Sequence, residues 1–598
     1  MGITVGSILY ELRKKAKRTQ RQLCENLCAP SVYSLYENND SEPDVLLLTY
    51  LFERLGRCQE GITAYITKEE AKYLNWRRSC VHLIQKEDYK ELERISQVNL
   101  KLPQNMNASI CRQYELYIKA VIQEEVYHNK ASAKDLYEQA IGCTCSSILD
   151  EELNECCVGK SELELYAIYL NLAMQTGDLP SEKVVSKWYN ILEYTKKHFA
   201  DDKEKMEVYA LVACMIAKTD APRNTWKRKN RNLLEAAGLL KRGNGLFHAI
   251  EVFRILSHSL EEAEERSIYQ ELYDALSWMY EEFDYLTEFN YHVLFINHFM
   301  YAMVNEYLLE GRITSGFTQE EASANICATE SYSRIENGKR KPQPDNYKQL
   351  AEKFGIEKRY YTEMIDTNNI SVWNVRKKIA NAIYLKDDAS FYRYIKQIQL
   401  LLPHTKQNKQ YIESQQLIYL HHKEKISDKE YLEKLIEILG KTLEIESVGN
   451  HMHVYTKLEI NLINWIAAAY GYLKDYKNSC DLLEKYLSDI YTGDLSAMLR
   501  QIEIMMAEFN LGIAYSEVGN EREGNARYIA GIKLLIDCYD ADMLDRYVSE
   551  LVCNWENLRI KSDIGKCWKN VLAIAQFYGN EKNYTMIKNY IESRKNSP

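Results

Sequence analysis

The 598-residue sequence predicts an all-α protein built from two tandem copies. Three observations lead there. Only nine prolines and 24 glycines are present, which disfavours an all-β or disordered chain. Long segments, 245–310 and 455–540 among them, repeat apolar residues at three- and four-residue spacing, as helices with one buried face do. Residues near the start also reappear in order, without a gap, 299 positions later, and 299 is half of 598. A chain of this length is expected to hold several domains rather than one core.

The repeat is clearest between RTQRQLCENLCAPSVYSLYENNDSEP at 18–43 and FTQEEASANICATESYSRIENGKRKP at 317–342. Thr19 and Gln20 match Thr318 and Gln319; Cys28-Ala29 matches Cys327-Ala328; Tyr33-Ser34 matches Tyr332-Ser333. Glu37-Asn38, Pro43 and Gly56 match Glu336-Asn337, Pro342 and Gly355. Upstream, Val5, Leu9, Glu11 and Arg13 match Val304, Leu308, Glu310 and Arg312.

Each stretch reads as a helix, a tight turn and a second helix. Thr318 is a natural N-cap, and Glu321 three residues later completes a capping box. Ala322, Ile326, Tyr332 and Ile335 are the expected core positions, with Cys327-Ala328 at the turn. Asn337-Gly338 is a left-handed stop, after which Arg340, Lys341 and Pro342 are expected on an exposed loop. Gly311 stands where the first copy has Leu12. At about 1 kcal/mol in a helix interior, it predicts that the helix preceding the motif ends early.

Helix, turn and helix in this pattern is a DNA reader's signature. Gln20 and Gln319 begin the first helix, where an amide and the helix dipole favour a phosphate. The second helix offers Thr329, Glu330, Ser331 and Arg334 to a major groove, and Ser31 and Val32 occupy the same face in the first copy. The copies differ in their cations. The first carries RKKAKRTQR at 13–21, including Arg18 and Arg21. The second carries Lys339 and Arg340 after its second helix, where the first has Asp40 and Ser41. Leu35 replaces Arg334. Residues 1–60 hold eight cations and eight acids, and the whole chain carries −10, so DNA affinity must come from local patches.

The motif with cysteine in its turn, followed by about 230 mostly helical residues, resembles the Rgg/PlcR/PrgX class of peptide-responsive bacterial regulators. The resemblance implies an XRE-type helix-turn-helix joined to a tetratricopeptide-like superhelix, with a short signalling peptide in its concave groove and a homodimeric assembly. Each 299-residue half has about the length of one family member. The expected domains are helix-turn-helix units at 1–66 and 299–366 and tetratricopeptide-like regions at 67–298 and 367–598.

Within those regions, NLGIAYSEVGNEREGNARYIAGIKLL at 510–535 fits a tetratricopeptide unit best. Gly512, Gly524 and Gly531 take the small places beside Tyr515 and Tyr528. WIAAAYGYLKDYKNSCDLLEKYL at 465–487 fits less closely, and 169–185 reads as a hairpin turn. LNWRR at 74–78 echoes SVWNVRK at 371–377, and KEDY at 86–89 echoes KDDA at 386–389. Residues 245–300 are expected to supply a helical connection between the halves. Asn171, Asn464 and Asn510 are candidate groove amides, since an amide both donates and accepts along a peptide backbone.

Other chemistries find little support. The sequence has no Gly-rich phosphate loop, HExxH or GxSxG, and no cofactor is expected. His421-His422 and His451/His453 lack nearby partners in sequence and read as surface residues. Fifteen cysteines, densest at Cys143, Cys145, Cys156 and Cys157, do not show common zinc-finger spacing and are expected reduced. No stretch approaches 18 uninterrupted apolar residues, and the first residues place charge after apolar ones, opposite to a secretory signal. A cytoplasmic transcription regulator that binds double-stranded DNA is the leading expectation. An interaction scaffold with degenerate readers, and a phage-type repressor with a protein antagonist, remain open. With both readers on one chain, the halves are expected to form an intramolecular pseudo-dimer, with a higher oligomer still open.

Overall fold

The computed structural model describes residues 5–57, 62–98, 102–103, 105–220, 225–296, 300–355, 364–365, 367, 371–450, 453–579 and 581–595. Among them the regular structure is helical, apart from two four-residue strands. Among the described residues no helix is long and apolar enough to cross a membrane.

Two four-helix units of the same design stand at the start of each half. The first comprises Val5–Lys15, Gln20–Leu23, Pro30–Asn38 and Val45–Arg54; the second Val304–Thr314, Gln319–Ser323, Thr329–Glu336 and Pro344–Lys353. Thr19 and Thr318 both close capping boxes, with Gln22 and Glu321. Gly338 supplies the left-handed stop at φ 72°, and in the first unit Asn39 does so at φ 65°. Gly311 does not shorten its helix: Val304–Thr314 has the same 11 residues as Val5–Lys15. Burial of Val304 and Leu308, about 1.5–3 kcal/mol for each such side chain, exceeds the glycine's propensity penalty.

After the first unit come the helix pairs Lys68–Gln85 with Tyr89–Ser96, Ala108–Glu125 with Lys130–Thr144, and Lys160–Gln175 with Ser181–His198. Asp202–Lys218 with Trp226–Gly243, and Ala249–Ser259 with Ala263–Glu282, complete this array. A second array runs from Ser371–Tyr384 to Glu581–Lys595. The turns recur: Glu87 and Lys386, 299 positions apart, are both left-handed, at φ 54° and 53°, one residue out of the register in which KEDY echoes KDDA. The hairpin expected at 169–185 lies between Lys160–Gln175 and Ser181–His198. In the 510–535 unit, a Cβ on Gly512 would come within 2.4 Å of the Tyr528 ring, and one on Gly531 within 2.1 Å of the Tyr547 ring. Only glycine admits these close helix approaches.

The helical connection expected over 245–300 is helical only as far as Glu282. Beyond Glu282 the described chain is irregular to Ile296, burying Val293, Leu294, Phe295 and Ile296 in the first array. It then forms β2 (Met300–Met303), which pairs in parallel with β1 (Thr63–Ile66), Thr63 opposite Met300 and Ile66 opposite Met303. The aromatic and β-branched run YHVLFI favours extended backbone over helix. Because β2 leads straight into Val304, this pairing sets where the second unit begins.

The arrays pack on each other. Gly245 and Asp540 form an antiparallel bridge: Leu246 N donates to Tyr539 O at 2.9 Å, and Ala541 N donates to Asn244 O at 2.8 Å. Phe247 stacks on Tyr539, Phe253 meets Phe577 edge-on, and Trp278 meets Trp555. The first unit's Val5, Ile8, Leu9 and Leu23 belong to the same continuous core as both arrays. The second unit has a small core of its own, made of Val304, Leu308, Ala322, Tyr332, Ile335, Leu350 and Phe354, with Tyr65 of β1 against it.

Candidate nucleic-acid interface

Each unit is organised around one acid at the end of its motif. Arg13 Nε and Nη2 donate to the two carboxylate oxygens of Glu37 at 2.6 and 2.8 Å, and its Nη1 donates to Arg18 O. Arg312 repeats this with Glu336, Nη2 donating at 2.5 Å, and with Phe317 O. Burial pushes the Glu37 carboxyl up, but the Arg13 guanidinium and Gln20 amide more than offset it and hold the group below its ordinary value. The pair fixes the motif's second helix against the unit's first helix, Val5–Lys15 or Val304–Thr314. Sequence reading had matched these residues across the halves but gave them no role; a conserved spacing of 24 between an arginine and an acid in both copies was the available signal.

Gln20 and Gln319 join the same cluster, donating to Glu37 at 2.7 Å and to Glu336 at 3.0 Å. One amide hydrogen of each is therefore engaged within the unit, which narrows the phosphate role expected of them. Arg18 is half-buried, and its guanidinium lies 3.3 Å from His198 Nδ1 on the array helix Ser181–His198. Burial, with Arg18 beside it, lowers His198 to about 4, so the ring is a neutral acceptor at pH 7. Arg21 and Ser31 are exposed and Val32 half-buried, while Leu35 stands 43% exposed on the second helix.

In the second unit Arg334 is exposed and pairs with Glu330 at 3.1 Å, one helical turn away, with side chains 62% and 80% exposed. Such an exposed pair contributes about 0.3–0.5 kcal/mol and is readily exchanged for a base or phosphate. Ser331 is half-buried, and the Thr329 hydroxyl lies 3.0 Å from Ser323 Oγ. Lys339 and Arg340 are exposed beside this helix. Lys341 and Pro342 are not on an open loop as expected. Both are half-buried, and the Lys341 ammonium pairs at 3.0 Å with Glu70, a fully buried carboxylate at the start of the first array. Lys341 also offsets part of the rise that burial causes at Asp44, whose carboxyl is pushed up to about 6 and caps the first unit's fourth helix. A partner 271 positions away in the chain could not be read from local pattern.

His453 also departs from expectation. It is no surface residue: its imidazole, 8% exposed, lies between Glu310 at 2.6 Å and Glu459 at 3.2 Å. Glu310 belongs to the second unit and Glu459 to the array helix Lys457–Tyr472, so the ring bridges reader and array. Burial alone would lower it, but the Glu459 and Glu310 carboxylates raise it to about 9. A cavity of about 160 Å³ opens beside this bridge, bounded also by Glu306, Arg500 and Glu503. His421 likewise has a partner, Asp428 at 2.8 Å, and stacks on Tyr431.

Two of the candidate groove asparagines are engaged with each other. Asn464 is buried and donates to Ile460 O, while Asn510 donates to Asn464 Oδ1 at 3.1 Å, joining two array helices. Asn171 is 9% exposed on Lys160–Gln175.

A helix-turn-helix family model matches residues 308–361, which covers the second unit's two motif helices and the exposed Arg334, Lys339 and Arg340. The second unit is a helix-turn-helix domain. No curated protein matches the chain. Among solved structures it is similar to Bacillus thuringiensis PlcR in complex with the peptide PapR7 and DNA, at 16% identity and a TM-score of 0.32, over 49% of this chain and 99% of that one.

Proposed function

We propose that the protein is a transcription regulator that binds double-stranded DNA through its helix-turn-helix units and is controlled by a ligand of its helical arrays. The observation that carries this reading is the second unit, a helix-turn-helix domain whose Arg334, Lys339 and Arg340 are exposed on and beside its second helix. Arginine there has the reach for a guanine edge, and the two cations after it have the reach for phosphates. Selection of bound sequences from random duplexes, followed by fluorescence anisotropy at two salt concentrations, tests it. A recovered consensus that Arg334→Ala weakens supports the reading; no enrichment over random DNA overturns it.

On the same reading the chain is a tandem duplication with domains at 1–66, 67–298, 299–366 and 367–598. Its support is the paired Arg13/Glu37 and Arg312/Glu336 clusters and the single 299-residue offset of the readers. The contact between the arrays supports an intramolecular pseudo-dimer. Asn244 and Tyr539, both left-handed, and His248 and Met543, also left-handed, each stand 295 positions apart. The reciprocal hydrogen bonds at Leu246 and Ala541 join positions with that same offset, as a twofold contact requires. A short signalling peptide is the proposed class of ligand, bound by array residues other than the Asn464–Asn510 pair.

A further inference from the structure

We propose that Glu124, Glu125 and His292 form a site for a divalent transition-metal ion, clamping the segment that leads into the second reader onto the first array. The two glutamates end the helix Ala108–Glu125, and His292 lies in the irregular stretch between Glu282 and β2. One ring nitrogen of His292 and one carboxylate oxygen from each glutamate all lie within 4.8 Å of one another.

The surroundings are built rather than incidental. His292 Nε2 is 2.8 Å from Glu125 Oε1 and 3.7 Å from Glu124 Oε2. Its Nδ1 lies 3.1 Å from the Tyr137 hydroxyl, the outer hydrogen bond that orients a ligating imidazole. Glu124 Oε1 accepts from the Tyr291 hydroxyl at 2.5 Å. That leaves Glu124 Oε2, on a side chain 3% exposed, with no hydrogen-bond donor among the described residues. The one Nε2–H of His292 serves Glu125 and cannot serve both acids. A buried carboxylate oxygen without a donor is costly, whereas a cation between the three atoms satisfies all of them.

One imidazole and two carboxylates, without a thiolate, match zinc(II) or manganese(II) with open positions for water. Binding requires the Nε2 lone pair, so the ring proton sits on Nδ1 and is donated to the Tyr137 oxygen; an imidazolium releases one proton to solvent. The far end of the segment is already held, since Lys160 Nζ donates to Ile296 O at 3.0 Å. A metal at His292 would fix its near end, and with it the approach to β2 and the second reader.

The test uses the full chain, kept reduced, stripped with a chelator and gel-filtered after addition of zinc(II), manganese(II) or cobalt(II) salts alone. One equivalent of zinc or manganese is expected to stay bound, measured by elemental mass spectrometry. The cobalt form should show visible bands without thiolate charge transfer, which separates this site from the cysteines. Glu125→Gln, at the partly exposed ligand, should weaken binding at least about tenfold, and His292→Gln should abolish it. If His292→Gln does not fold, Glu125→Gln decides alone. No retained metal, retention unchanged in the variants, or a thiolate band overturns the proposal.

Discussion

The Arg54 guanidinium donates to both carboxylate oxygens of Glu162, at 3.1 and 2.6 Å, in a pair with side chains 0% and 1% exposed. The same guanidinium reaches Leu23 O, Glu25 O and Thr144 O, so it joins the first four-helix unit to two array helices. The residue 299 positions later is Lys353, which donates within its own unit to the Glu321 and Ala324 carbonyls. Glu459, the capping-box glutamate of Lys457–Tyr472 as Glu162 is of Lys160–Gln175, takes His453 instead. One unit is therefore locked into the common core, and the other is held by a histidine bridge and by Lys341.

Removing one partner of a fully buried pair strands the other's charge. Arg54→Met is expected to destabilise the first half by about 3–5 kcal/mol in urea unfolding, whereas Arg54→Met with Glu162→Leu should recover most of that loss. A double variant as unstable as the single one would show that the carbonyl contacts, not the ion pair, hold the reader.

Arg334 and Leu35 occupy equivalent places with different chemistry. Arg334→Ala is expected to weaken binding to a selected DNA site by about 1–3 kcal/mol and to relax base preference at one position. Leu35→Ala should change affinity far less. Glu330→Ala removes the competing carboxylate and should tighten DNA binding slightly, most at low salt. An equal loss on random DNA in Arg334→Ala would assign that residue to phosphate alone.

The His453 bridge gives the second reader a pH dependence whose sign follows from its shift. The imidazole is raised to about 9 from 6.5, by Glu459 and Glu310, with Glu306, Asp489, Arg500 and Glu503 around the adjoining cavity. A raised value means that folding favours the protonated ring. Its contribution is full below about pH 6.5 and is lost as pH rises through about 9, at most about 3 kcal/mol in all. Hydrogen exchange in Val304–Thr314 should therefore speed up between pH 7 and 10 beyond the intrinsic chemical trend, and His453→Gln should remove that excess. A profile identical in the variant would sink the idea.

How much of this was legible in the sequence differs by feature. Helices, capping boxes, the left-handed stop at Gly338 and the core faces follow from residues within one or two turns, and local pattern gave them. The β1–β2 pair joins residues 237 positions apart, and two four-residue strands leave no periodicity to detect. The same holds for Lys341 with Glu70 and for His453 with Glu310, where each residue looks solvent-facing alone. Arg334, Lys339 and Arg340 lie on an exposed face because their neighbours Tyr332, Ile335 and Glu336 define the buried one. Asn464 failed because a helix asparagine gives no sign of whether its partner is a ligand or Asn510.

The last prediction concerns assembly. The bridge at Gly245 and Asp540, with Phe247 on Tyr539, Phe253 on Phe577 and Trp278 on Trp555, joins the arrays within one chain. Tethering makes such a contact independent of concentration, unlike the pairing of separate chains. Light scattering across a wide dilution range should return the mass of one chain, or of a multiple built from intact pseudo-dimers. Trp555→Ala with Phe577→Ala removes two aromatic anchors, each worth about 3–5 kcal/mol when truncated. The arrays should then part, seen as a larger radius at unchanged mass. Because Leu35 stands in the first unit where Arg334 stands in the second, the selected DNA site should be asymmetric rather than palindromic. A two-chain particle in which each half pairs with its counterpart on the other chain, or a palindromic consensus, would overturn the intramolecular arrangement.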